Sequence, residues 1–163
     1  MNNKEKQLID ELVEEFRKSI TMKFAASRAV LMNTRGADAA FHTYASCIAD
    51  YFCIDKNKML SKETRTTDYR LGRQILWWFC RTGESSLPFS STKVGHLSGL
   101  FDHATVLHGV KKIDCDIDYD FQTNRDVKSI CELLGFKLVK VGMNYTTVSA
   151  TRQTDVEQVL KLA

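Results

Sequence analysis

The stretch from Phe101 to Ile113, Phe-Asp-His-Ala-Thr-Val-Leu-His-Gly-Val-Lys-Lys-Ile, constrains the fold more than any other in the chain. Set out at about 100° per residue, Val106, Leu107, Val110 and Ile113 share one arc about 120° wide. Ala104, Thr105, His108, Lys111 and Lys112 take the opposite arc. The period is helical, and Asp102 is a good N-cap, because its carboxylate can accept a backbone N–H left unpaired in the first turn. One face of this helix must be buried against other elements. The other mixes small, hydroxyl, imidazole and cationic groups, with no acidic residue between His103 and Ile113. Such a face suits a groove lined with phosphates and base edges. An ordinary amphipathic helix with its polar side in water has the same period.

Charge is concentrated in the block that ends with this segment. Residues 1–55 carry net −1, residues 56–113 net +6 and residues 114–163 net −2, so the modest overall +3 hides a basic centre. A polyanion partner is the natural inference, although solvated lysines give the same tally. At 163 residues, with 44% apolar side chains, one domain with a real core is expected, together with an appendage. The five cysteines, Cys47, Cys53, Cys80, Cys115 and Cys131, include no Cys-x-x-Cys pair, which argues against a disulfide framework or a zinc site. Reduced, mostly buried thiols in a cytoplasmic protein fit this usage. The opening Met-Asn-Asn-Lys-Glu-Lys lacks the apolar core of a signal peptide, and no run approaches about 18 apolar residues, so no membrane association is expected.

Residues 4–32 read as one long helix or two, with Leu8, Leu12, Phe16 and Ile20 recurring every fourth position beside Ile9 and Val13. The stripe is expected to pack on the next helices; a two-stranded coiled-coil contact is the sharper reading and leaves a homodimer open. A second helix runs from about Ala37 to Cys53. Ser61–Tyr69 is a polar, cationic loop, and Arg70–Arg81 a third helix, apolar nearly all round, that should cross the core with Trp77 and Trp78 inside it. Thr92 is placed to cap a short helix through Leu97, and Gly99 to turn the chain toward Asp102; helix, tight turn and second helix make a helix-turn-helix. Asn124 is expected to cap a helix ending at Gly135, followed by a hairpin of Phe136–Val141 and Tyr145–Thr151 and a short helix opened by a capping box at Thr154.

The run Asp102-His103-Ala104-Thr105-Val106-Leu107-His108, followed by Val110-Lys111-Lys112-Ile113, resembles the signature of the C-terminal DNA-binding domain of the bacterial replication initiator DnaA, which reads Asp-His-Thr-Thr-Val-Leu-His-Ala and then two basic residues and Ile. Val94-Gly95, Gly99, Arg73-Gln74, Leu60-Ser61-Lys62 and Tyr51-Phe52 fall at or near the family's spacing, so the resemblance covers roughly residues 42–121. It implies a mainly α fold, a helical bundle containing a helix-turn-helix, with a small C-terminal β-hairpin appendage outside the likeness. The corresponding divisions are an N-terminal helical extension over 1–40, the DNA-binding domain over 41–121 and the appendage over 122–163. Two segments depart in length: the 61–69 loop is one residue longer than the pattern and the 82–91 loop about three. Glu63 stands where a basic residue is usual, Ala104 replaces Thr, and Leu100-Phe101 replace Gly-Arg.

The resemblance implies double-stranded DNA as partner, with a site made of Lys62, Arg65, Arg70, Arg73, Gln74, Asp102, His103, Ala104, Thr105, His108, Lys111 and Lys112. In that scheme Arg65 enters the minor groove, with Lys62 and Arg70 on the backbone. Asp102 caps the helix and accepts from a cytosine amino group. His103 reaches base edges, and Ala104 offers an apolar surface to a thymine methyl. Thr105 combines a methyl contact with a phosphate bond, while His108, Lys112, Arg73 and Gln74 grip phosphates. No Gly-x-x-x-x-Gly-Lys-Ser/Thr loop, Gly-x-Ser-x-Gly or His-Glu-x-x-His occurs in the sequence, so no nucleotide, cofactor, metal or enzymatic activity is expected. Asp114–Asp120 alternates acid with apolar but lacks the Gly and Glu of a calcium loop, and a continuing helix is expected there. The competing function is a protein-interaction adaptor that keeps the helix-turn-helix as a scaffold.

Overall fold

Nine consecutive buried residues, Gly72 to Cys80, decide how the chain is wrapped. A helix buried on every side must be surrounded, and this one, α4 (Thr67–Arg81), is the axis of the fold. The computed structural model describes residues 4–16, 18 and 36–150. Residues 4–16 form α1, followed by α2 (Ala37–Tyr51), α3 (Lys56–Met59), α4, α5 (Ser91–Leu97), α6 (His103–Tyr119) and α7 (Phe121–Leu134). Strands β1 (Phe136–Val141) and β2 (Asn144–Ser149) close the described chain as an antiparallel hairpin in which Val141 pairs with Asn144 across a two-residue turn. The architecture is mainly helical with a small C-terminal hairpin, as the sequence implied. Among the described residues no helix is long and apolar enough to cross a membrane.

Helices α2, α3 and α6 pack directly on α4, and α7 packs on α2 and α6. Phe41, Ile48, Met59, Ile75, Trp78, Val106, Ile113 and Ile130 are fully buried in one continuous core. Both tryptophans lie inside it, as their helical context suggested, and both indole N–H groups are satisfied. Trp77 donates to Ser98 Oγ at 2.8 Å and Trp78 to Asp114 Oδ1 at 2.6 Å. Cys47, Cys80 and Cys131 are buried, while Cys53 and Cys115 are exposed. Burial pushes the Cys47 thiol up to about 12, and drives those of Cys80 and Cys131 well above the usual thiol range, so these three serve as packing groups.

Several boundaries differ from the sequence reading, each for a local reason. Helix α4 starts at Thr67, so the polar loop shortens to residues 61–66. Ser90, not Thr92, caps α5, its hydroxyl accepting the Lys93 N–H at 3.2 Å. Asp120 caps α7 through the Gln122 and Thr123 amides, and the Asn124 side chain instead donates to Ile117 O at 2.9 Å. Helix α6 continues through the acidic run to Tyr119 as expected, with Gly135 stopping α7 in a left-handed conformation. Leu107, expected on the buried arc of α6, is 41% exposed; the buried seam is Val106, Gly109, Ile113 and Ile117. Gly109 lies on that seam: a Cβ there would lie 2.5 Å from the Trp77 ring, so α6 lies against α4 at the glycine, while Leu107 faces outward.

The stripe of α1 does not enter the core. Leu8, Ile9, Leu12, Val13 and Phe16 are 47–62% exposed, and Val13 and Phe16 border an open cleft of about 620 Å³ against Cys47 and Tyr51 of α2 and Leu133 of α7. The expected continuation of this helix to residue 32 falls largely outside the described residues, as does the capping box at Thr154.

The hairpin docks on the 82–91 loop. That loop holds a single 3-10 turn, Gly83–Ser85. Thr147 Oγ1 accepts the Ser85 N–H at 3.0 Å and donates to Thr82 O at 2.9 Å, and Glu84 accepts the Ser149 N–H at 2.6 Å. Phe136, Leu138 and Tyr145 pack on the core from the hairpin.

Candidate nucleic-acid interface

The site is assembled from two elements, the 61–66 loop and the first turns of α6. The loop is held from inside by Arg73. Its guanidinium, 3% exposed, donates through Nη1 to Met59 O and Ser61 O, both at 3.0 Å, and through Nη2 to Thr64 O at 2.7 Å. Arg73 Nε is buried without a partner among the described residues. Burial lowers the Arg73 pKa, with Arg70 adding to the effect, but a guanidinium stays charged at any pH that a protein tolerates. The loop therefore has its carbonyls turned inward onto one cation, while Lys62, Arg65 and, on the first turn of α4, Arg70 are exposed.

The second element begins at a built cap. Asp102 Oδ1 accepts the Thr105 N–H at 2.8 Å and Oδ2 accepts the Thr105 hydroxyl at 3.0 Å. The backbone bond first, then the hydroxyl bond, hold the Asp102 carboxyl below the usual carboxylate range. His103, Ala104, Thr105, Leu107, His108, Lys111 and Lys112 are all exposed beyond it. Lys112 is not a free cation, since its ammonium pairs with Asp116 one turn on.

Phe101 joins the two elements. Its ring packs edge-on to Trp77 at 5.2 Å between centroids, lies 5.1 Å from the Arg73 guanidinium carbon and has the Lys62 ammonium 5.9 Å above it. The turn is closed by the Phe101 N–H donating to Gly95 O at 3.0 Å. Phe101 is thus the surface on which two cations rest.

The structure thus brings Lys62, which stands over Phe101, close to the Asp102 cap and to His103, the first residue of α6. It withdraws two other residues. Gln74 is buried, its Cγ facing Gly109 of α6, and Arg73 is occupied by carbonyls. Neither is positioned to grip a phosphate as the sequence suggested, because both point from α4 into the body of the domain. Thr105 also differs from expectation in that its hydroxyl proton is already given to Asp102.

Residues 45–113 match the family described as bacterial DnaA protein helix-turn-helix. The matched stretch contains the helix-turn-helix made by α5 and the first turns of α6. Similar proteins include the chromosomal replication initiator protein DnaA of Treponema denticola, 33% identical over 93 residues, which make up 57% of this chain and 19% of that protein. The DnaA of Dechloromonas aromatica is 33% identical over 87 residues, 53% of this chain and 18% of the relative. That of Lachnoclostridium phytofermentans is 34% identical over 82 residues, 49% and 17%. The chain spans less than a fifth of each of these relatives. The match runs from within α2 to Ile113, so the loop and the first turns of α6 fall inside it, whereas α1, α7 and the hairpin lie outside.

Proposed function

We propose that this chain binds duplex DNA, with the N-terminal half of α6 in the major groove and the 61–66 loop directed at the adjacent minor groove. The observation that carries the reading is the exposed, acid-free surface from His103 to Lys112 beside a basic loop whose shape is fixed internally. His103 and Ala104 are the base-edge residues, His108 and Lys111 meet the backbone of the groove, and Lys62, Arg65 and Arg70 neutralise phosphates or enter the minor groove. Asp102 and Thr105 act first as the cap that orients His103. The function is regulation or assistance of replication without an ATPase, in the cytoplasm. Fluorescence anisotropy on duplexes chosen by selection from a random pool tests this. Affinity should fall steeply with salt, and His103→Ala should cost about 1–3 kcal/mol on the preferred duplex. Binding indifferent to both would exclude the proposal.

The exposed apolar stripe of α1 favours a second reading, a protein-interaction adaptor that uses this helix as its working surface. It predicts no shift of any duplex at low salt and a stable oligomer in sedimentation.

A further inference from the structure

Leu100 is an anomaly in two respects. Its φ is 64°, in the left-handed region that a bulky side chain enters only at a cost, and it is 70% exposed. Neither the turn nor the core requires a leucine there. Strain kept at an exposed position points to use of the side chain. Its surroundings say what kind of use. Gly99 is pressed onto the base of the basic loop, where an added Cβ would lie 2.6 Å from Leu60 O and 3.0 Å from Lys62 N. Asp102, two residues on, starts α6. Leu100 therefore stands where the loop and the recognition helix adjoin, beside Lys62, which rests over Phe101.

Resting on the DNA reading above, we infer that Leu100 is a DNA-contacting residue that packs on the deoxyribose of the strand separating the two grooves. If the loop addresses the minor groove and α6 the major, the protein segment between them must cross that single sugar–phosphate ridge. The ridge presents charged oxygens, suited to Lys62, and the apolar carbons of the sugar, suited to an exposed leucine. Such a contact adds affinity on every duplex, without sequence preference and without releasing counterions.

The test compares the full chain with Leu100→Gly, Leu100→Asn and Leu100→Met. Gly and Asn both accept the left-handed backbone, so each should raise the melting temperature by roughly 2–4 °C as strain is relieved. Each should also weaken binding to a random-sequence duplex roughly fivefold, in the opposite direction to its effect on stability. The slope of log affinity against log salt should stay that of the wild type, and Leu100→Met should bind within about twofold of it. Wild-type affinity in the Gly and Asn variants would overturn the inference and leave the DNA reading intact, pointing instead to a protein contact for Leu100. A wild-type chain that shows no salt-dependent binding to any duplex would overturn both.

Discussion

Arg73 Nη2 lies 2.7 Å from the carbonyl oxygen of Thr64, and the same guanidinium reaches the carbonyls of Met59 and Ser61 at 3.0 Å. A buried cation therefore folds the loop that carries the exposed ones. Three acceptors are held by one planar fork, a geometry that an ammonium cannot copy. Arg73→Met should destabilise the fold by about 1–3 kcal/mol, because the carbonyls it serves lose their donors. Arg73→Lys should recover only part of that loss. Urea unfolding of the three proteins measures the order, and equal midpoints for Lys and Arg would show that charge rather than the fork matters.

The cap of α6 gives a pH prediction. Asp102 has a depressed pKa, so its charged form is favoured by folding. Its contribution is complete above the unfolded carboxylate value of about 3.9 and is lost as pH falls through the lower, folded value. Asp102→Asn keeps a capping oxygen and removes the charge. The melting temperature of the wild type should exceed that of this variant at pH 7, and the two should converge as pH drops below about 4. A gap that persists unchanged to pH 2 would assign the difference to hydrogen-bond geometry alone.

What could be read from the residues, and what could not, follows from how local each cause is. The α6 cap, the Gly135 stop and the immersion of Ile75–Cys80 depend on neighbours within a turn or two, and sequence carries such signals directly. Arg73 and Gln74 resembled phosphate-binding residues because polar side chains at a helix start are usually outside. Their inward placement depends on carbonyls 9 to 14 residues away and on the approach of Gly109, which periodicity treats as a gap in the apolar face. The extra length of the 82–91 loop and the appended hairpin are separate oddities in the sequence. In the fold each explains the other: Ser85 and Thr147 meet across 62 positions.

That meeting is itself testable. Thr147 is buried, and its hydroxyl both accepts from the Ser85 amide and donates to Thr82 O. Thr147→Val keeps the shape and β-branching but leaves a buried N–H without its partner, at a cost of about 1–3 kcal/mol. The protection of the Ser85 amide in hydrogen exchange should fall with the unfolding midpoint. A midpoint within experimental error of the wild type would mean that the hairpin is held by its apolar side chains alone.

Lys112 offers the sharpest check on which face of α6 meets DNA. Its ammonium is paired with Asp116 at i,i+4, an arrangement with the cation on the N-terminal side that is the weaker of the two orders on a helix. Both side chains are partly open to solvent, and such a pair adds at most about 0.5 kcal/mol to stability. Asp116→Asn should therefore leave the unfolding midpoint nearly unchanged while releasing one cation on the proposed groove-facing side and removing a charge that repels phosphate. Duplex affinity at low salt should rise, and the slope of log affinity against log salt should steepen by about 0.9, the increment for one more neutralised phosphate on B-form DNA. Lys112→Ala in the wild-type background should have little effect on that slope, and in the Asp116→Asn background should reverse the gain. If Asp116→Asn changes neither affinity nor slope, Lys112 faces away from the duplex and the contact surface ends near His108.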